Sequence, residues 1–217
     1  TGQDLPEGVQ PGQRPVAIMV NNAQAAMPQR GIGSADAIFE MVTEGGITRM
    51  MAMYSDISAI PQVGPVRSAR DQHLQFALPL NAIFVHIGSS VYAQNLLNEY
   101  QYQDIDGLYL GTTSFWFDSE RAKGYLQEHC WYTDASLIAA GIEKQQINTS
   151  GAAVPLFCFA EQPVQLTELD APDIAFSFSS TSQVRLVYDS ATGTYLKQAY
   201  GAPQVDELTG AQLAFNN

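Results

Sequence analysis

The sequence predicts an α+β protein whose carboxyl-terminal part is mostly β. Strand-length apolar runs alternate with capped amphipathic segments through the first two thirds. A Gly45-Gly46 pair sits between two apolar flanks, and helix signals cease near residue 148, beyond which short Val-, Phe- and Tyr-rich segments take over. The chain accordingly divides into a flexible tether over 1–13, an α+β domain over 14–147 and a β-rich domain over 148–217.

Residues 1–13 are rich in Gly, Pro and Gln, the composition of a tether. Residues 15–20 (PVAIMV) form a nearly continuous apolar run, as a buried strand does, and deliver Asn21 and Asn22 to its carboxyl end. Over 37–56 the Gly45-Gly46 pair reads as a two-residue hairpin turn, since glycine takes the positive φ of a primed turn without strain. A helix over 35–43 is the competing reading. After Pro65, Ser68 opens a helix through Arg70, His73, Leu74 and Ala77, closed by Pro79. Residues 82–87 (AIFVHI) read as a buried strand, 89–100 as an amphipathic helix and 105–110 as another strand. Thr133 or Asp134 caps a helix through Ala140 that stops at Gly141. Strands follow at 157–159, 174–178, 184–188 and 195–200, with 189–193 as a hairpin turn. Residues 212–217 begin a further strand, so more chain is expected beyond it.

The 217 residues carry 10 Lys+Arg against 22 Asp+Glu, a formal charge of -12. Such a chain repels a phosphate backbone and an anionic lipid surface, so nucleic acid is excluded as a partner and no peripheral membrane adhesion is expected. Hydrophobic residues at 46% are enough to bury a core. Cys130 and Cys158 suit two buried thiols better than one disulfide. No run reaches the ~18–20 apolar residues of a membrane span.

Walker, His-Glu-x-x-His and Gly-x-Ser-x-Gly motifs are absent, and no cofactor or metal is implied. Gly31-Ile32-Gly33 lacks the third glycine of a dinucleotide loop and reads as a turn. Asp104-Ile105-Asp106-Gly107 lacks the later ligands of a calcium loop and reads as a strand-entry turn. What stands out is positive charge in an acidic chain. Arg49, Arg67 and Arg70, three of seven arginines, fall on two glycine-marked turns. They serve either as struts paired with Glu40, Glu44 or Asp71, the stronger reading, or as holders of an anion. Asn21, Asn22, Arg121 and His129 complete the ligand-binding candidates, and Glu44 and His86 are the candidate bases. Trp116 and Trp131 suit core packing, with a groove as the alternative.

The order Arg14-Pro15-Val16-Ala17-Ile18-Met19-Val20-Asn21-Asn22, Ala35-Asp36, Glu40, Glu44-Gly45-Gly46-Ile47-Thr48-Arg49, Gly64-Pro65-Val66-Arg67-Ser68-Ala69-Arg70 and His86-Ile87-Gly88-Ser89-Ser90 resembles the YerB-like lipoprotein family of Gram-positive bacteria. The resemblance covers about 14–133. A weaker echo runs through Val187-Tyr188-Asp189, Gly193-Thr194-Tyr195, Gly201 and Asp206. It implies layered sheets and helices, a sandwich of the ββα type, in a protein exported and anchored through a lipid-bearing cysteine outside this sequence. The family's activity is unassigned. Where the family has a Pro-His-Asn-like element before a tyrosine, this chain has Glu128-His129-Cys130-Trp131-Tyr132. The leading functional expectation is a non-enzymatic envelope lipoprotein that binds an anionic small molecule, a peptide or an envelope protein. A hydrolase or transferase acting on an anionic envelope substrate is the alternative.

Overall fold

The computed structural model describes residues 9–154 and 170–216. Cys158 and the strand expected at 157–159 lie outside them. A central five-stranded sheet has the order β2-β3-β1-β4-β5, from β1 (Val16–Asn21), β2 (Ala37–Val42), β3 (Thr48–Tyr54), β4 (Ile83–His86) and β5 (Asp104–Asp106). Every residue of β1, β3 and β4 is buried, which is why their inner stretches, 16–20, 50–54 and 83–85, read as unbroken apolar runs rather than alternating ones.

Helices cover both faces of the sheet. On one, α1 (Asp71–Ala77) and α2 (Val91–Glu99) enclose Ala17, Met19, Met51, Met53 and Phe84. On the other, Val16, Ile18, Val20, Met50 and Ala52 meet Ile138 of α4 (Ala135–Gln145) together with Phe115, Val63 and Leu213. Between them run α3 (Gly107–Leu110) and a small pair, β6 (Trp116–Phe117) with β7 (Trp131–Tyr132).

A second sheet has the order β11-β10-β9-β8, from β8 (Asp173–Ser177), β9 (Gln183–Asp189), β10 (Thr194–Ala199) and β11 (Ala202–Pro203), with β12 (Ala214–Asn216) pairing β10. The protein is α+β, with the second sheet at its β-rich carboxyl end.

Several local expectations are corrected. The turn between β2 and β3 spans three residues rather than two. Thr43 N donates to Ile47 O at 2.7 Å, leaving Glu44–Gly46 as a 3-10 turn with φ of 71° at Gly45 and 74° at Gly46. The helix after Pro65 begins at Asp71, not Ser68. Residues 65–69 fill the space between β1 and the end of β4, where Arg67 N donates to Met19 O and Arg67 O accepts from Ile87 N. Only residues 104–106 of the expected third strand are extended, because Asp106 Oδ1 accepts from Leu108 N and starts α3. Asp104 and Asp106 are therefore strand residues, not an entry turn. Helix α4 passes through Gly141, since the close approach of Ser114 and Ile105 is what asks for a glycine there. The end of the expected tether is packed. Val9 is buried, and Gln13 pairs with Ser150 while donating to Ser55 O.

Gly31 sits at φ 76°, where a Cβ would lie 2.5 Å from Gln62 O. Backbone strain and a backbone clash act together, so Gly31→Ala is expected to lose about 2–4 kcal/mol in urea unfolding. A loss below about 1 kcal/mol would show that the 61–63 segment yields freely.

Candidate functional site

Strands β1, β4 and β5 run parallel, so Asn21, His86 and Asp106 end at one edge of the sheet, and antiparallel β3 starts there with Arg49 opposite Asn21. Open α/β sheets place ligands outside this carboxyl edge. Residues 65–70 lie across it and carry Arg67 and Arg70.

Alternation along β3 turns Arg49 to the same face as Met51 and Met53, toward α1. Its residue is only 3% exposed. Nη1 donates to Ser68 O at 2.8 Å, while Nε is buried with no partner among the described residues. Burial, then the positive charges of Arg70 and Arg67, push the Arg49 guanidinium down to about 9, against the weaker pull of Glu44 and Glu128. At neutral pH it is still charged. Arg67 has a buried Nε in the same condition, and its Nη2 lies 3.6 Å from Glu128. Arg70 is held by Glu44, Nε to Oε1 at 2.7 Å. Three guanidiniums thus share two carboxylates, with side chains 68% and 51% exposed.

Beside them, Asn21 Nδ2 lies 2.9 Å from His129 Nδ1. An amide nitrogen only donates, so that ring nitrogen accepts and His129 is neutral. Burial lowers its pKa, as do Arg67 and Arg121, with Glu128 opposing. The structure therefore brings Arg49, Arg67, Arg70, Glu44, His129 and Asn21 to one edge.

It does not bring the others there as free groups. Asn22 is saturated by Glu40, Thr48, Gln29 and Gln204. Arg121 donates to His129 O, Glu207, Ala26 O and Pro28 O and lies over the Tyr125 ring, which makes it a strut. His86 is fully buried with Nδ1 against Gly88 O and Nε2 against Asp104, both at 2.8 Å, so no ring nitrogen is free to act as a base. Glu44 is occupied by Arg70. Burial pushes its carboxyl up, but its own backbone N–H, Arg70 and Arg49 outweigh that and hold it down. Glu40 and Asp71 are not the counter-charges of the arginines. Glu40 pairs with Lys197 instead, and Glu128 takes Arg67. Trp116 stacks on buried Tyr132 at 5.2 Å and Trp131 packs tilted against Phe117, packing between side chains rather than a groove.

Sequence reasoning passed over Lys197, Glu128 and His73. Lys197 carried a usable signal: it shares a strand face with Ala199, where a lysine needs a buried partner. A groove of about 340 Å³ lined by Phe176, Gln183, Arg185 and Gln198 lies on the second sheet and shares no lining residue with the cluster of Arg49, Arg67 and Arg70.

The family model for the protein of unknown function (DUF3048) N-terminal domain matches residues 1–148. The chain is 30% identical over 207 residues to a Bacillus subtilis (strain 168) protein named "Putative lipoprotein YerB", across 94% of this chain and 61% of that protein. A crystal structure of YerB from Bacillus subtilis superposes with a TM-score of 0.84 at 27% identity, over 99% of this chain and 70% of the other. This chain belongs to the DUF3048 family.

Proposed function

We propose that this protein is an extracytoplasmic, lipid-anchored binding protein of the cell envelope, non-enzymatic, in which Arg49, Arg67 and Arg70 receive an anionic group. The relative's name as a lipoprotein supports the location. The carrying observation for binding is a surplus of positive charge in which two buried N–H groups, Arg49 Nε and Arg67 Nε, have no partner among the described residues. A buried donor left unmade costs about 1–3 kcal/mol, and an oxyanion supplies acceptors and the missing charge together. The enzyme reading lacks a comparable support, since His86 is enclosed and Glu44 is held by Arg70.

Inorganic phosphate or sulfate at fixed ionic strength is expected to raise the melting temperature by several degrees, because a ligand at 100 times its Kd stabilises by about 2.7 kcal/mol. Arg67→Ala should abolish that rise while leaving the ligand-free melting temperature within about 2 °C. A large ligand-free loss with the phosphate effect intact would make Arg67 a strut and sink the reading.

A further inference from the structure

Beside the arginines the same sheet edge carries an exposed apolar ridge. Val91 and Tyr92 open α2, and Leu108 and Tyr109 lie in α3, all 72–79% exposed. Four large side chains so exposed, on two segments that both run up to Gly88, are unusual for a surface with no task. The ridge is tied to the arginine segment by backbone. Ile87 N donates to Arg67 O, Ala69 N to Gly88 O and Ser90 N to Ala69 O, so residues 67–69 and 87–90 run together directly into α2. A Cβ placed at Gly88 would lie 3.3 Å from Leu108 Cδ1 and 3.7 Å from Ser68 Oγ, which puts Leu108 against both segments. The amino end of the nine-residue α2 faces this edge with no acidic residue in its first turn. Its dipole adds to the attraction for an anion.

We infer that the arginine cluster and this ridge form one site for a glycan bearing phosphate or carboxylate groups, the arginines taking the anion and Tyr92 and Tyr109 the sugar rings. The inference rests on the anion reading above. A tyrosine ring offers a flat face to the apolar C–H face of a pyranose, and its hydroxyl reaches the sugar's own hydroxyls. Ser89 and Gln94, joined at 2.9 Å beside the start of α2, add polar partners suited to a hydroxylated ligand. A lipid surface fits less well. Two of the four ridge side chains end in hydroxyls, which suit a hydroxylated ligand better than acyl chains. A peptide added by strand pairing would have only the three residues of β5 to pair with at this edge.

Calorimetric titration with inorganic phosphate, glucose 1-phosphate and glucose tests the site in the intact chain. Glucose 1-phosphate should bind at least about tenfold tighter than phosphate, the size of one stacked ring contact. A Tyr92→Ser/Tyr109→Ser double variant, altered only at exposed positions, should drop glucose 1-phosphate to the phosphate level and leave phosphate itself unchanged. Equal affinity of the two anions in the parent, or tyrosine-independent preference, overturns the glycan site while sparing the anion reading. Failure of both anions to bind overturns both. Tyrosine-dependent binding to phosphatidylglycerol vesicles, without preference for the sugar phosphate, would assign the ridge to a membrane and overturn it too.

Discussion

Lys197→Met should lower the unfolding free energy by about 3–5 kcal/mol, the cost of leaving one partner of a buried ion pair behind. Lys197 Nζ lies 2.5 Å from Glu40 Oε2 and 2.7 Å from Gln204 Oε1, with side chains of the ion pair 5% and 10% exposed. The other carboxylate oxygen accepts from Thr48 and Asn22, and Asn22 in turn accepts from Gln29 and Gln204. Each member is satisfied, so the network gains from its low dielectric surroundings for as long as it stays complete. Without the ammonium, Glu40 keeps two neutral donors and a buried negative charge. The same contact joins β10 to β2, so the second sheet should loosen on the first. Adding Glu40→Gln to the Lys197→Met chain should recover about half or more of the loss, because the orphaned charge goes with it. Urea unfolding of the parent, both single variants and the double variant decides it. A loss below about 1 kcal/mol for Lys197→Met would mean that Glu40 finds water.

That pair also marks where reading the sequence stops. The strands β1, β3, β4, β9 and β10 were legible because burial on one or both faces leaves a periodic trace, and Ser90 and Asp134 were legible within a residue or two because they cap with their own side chains. Ser68 misled because a capping residue signals a helix only if its backbone is free. Here residues 67–69 are claimed by β1 and by 87–90. Gly141 misled because the pressure on it comes from Ser114 and Ile105, far along the chain. In the candidate site, the gathering of Arg49, Arg67 and Arg70 was readable from two nearby turns. Of their counter-charges only Glu44, the partner of Arg70, was readable. Glu128 arrives on a loop set by tertiary packing, and Glu40 is captured by a lysine 157 residues away.

Acid should weaken this fold before its carboxylates titrate. His73 is fully buried in α1, with Nε2 donating to Arg49 O at 3.1 Å and Nδ1 without a partner among the described residues. Burial first, then Arg49 and Arg70, push its pKa down to about 4, against the upward pull of the Arg49 carbonyl and Asp71. His129 is shifted the same way, by burial, Arg67 and Arg121 against Glu128. A histidine whose folded pKa lies below its unfolded value near 6.5 takes up protons more readily when unfolded. Its contribution is therefore fully present above pH ~6.5 and is lost as pH falls through the folded value. For His73 the interval from 6.5 to about 4 corresponds to about 3 kcal/mol. Glu44 and Asp118, whose pKa values are also lowered, act with the same sign but in the more acid range below their unfolded values near 4. The window from pH ~6.5 to 4.5 thus isolates the histidines. Unfolding free energy should fall by about 2–3 kcal/mol across that window, and His73→Leu, whatever its absolute stability, should remove most of that slope. A flat profile in the parent, or an unchanged slope in the variant, would show that water or a rearrangement reaches His73 on protonation. Protonation would also add positive charge beside Arg49 and Arg70. Inorganic phosphate bound at the arginines should then blunt the acid loss, and an equal loss with and without phosphate would separate His73 from the anion site.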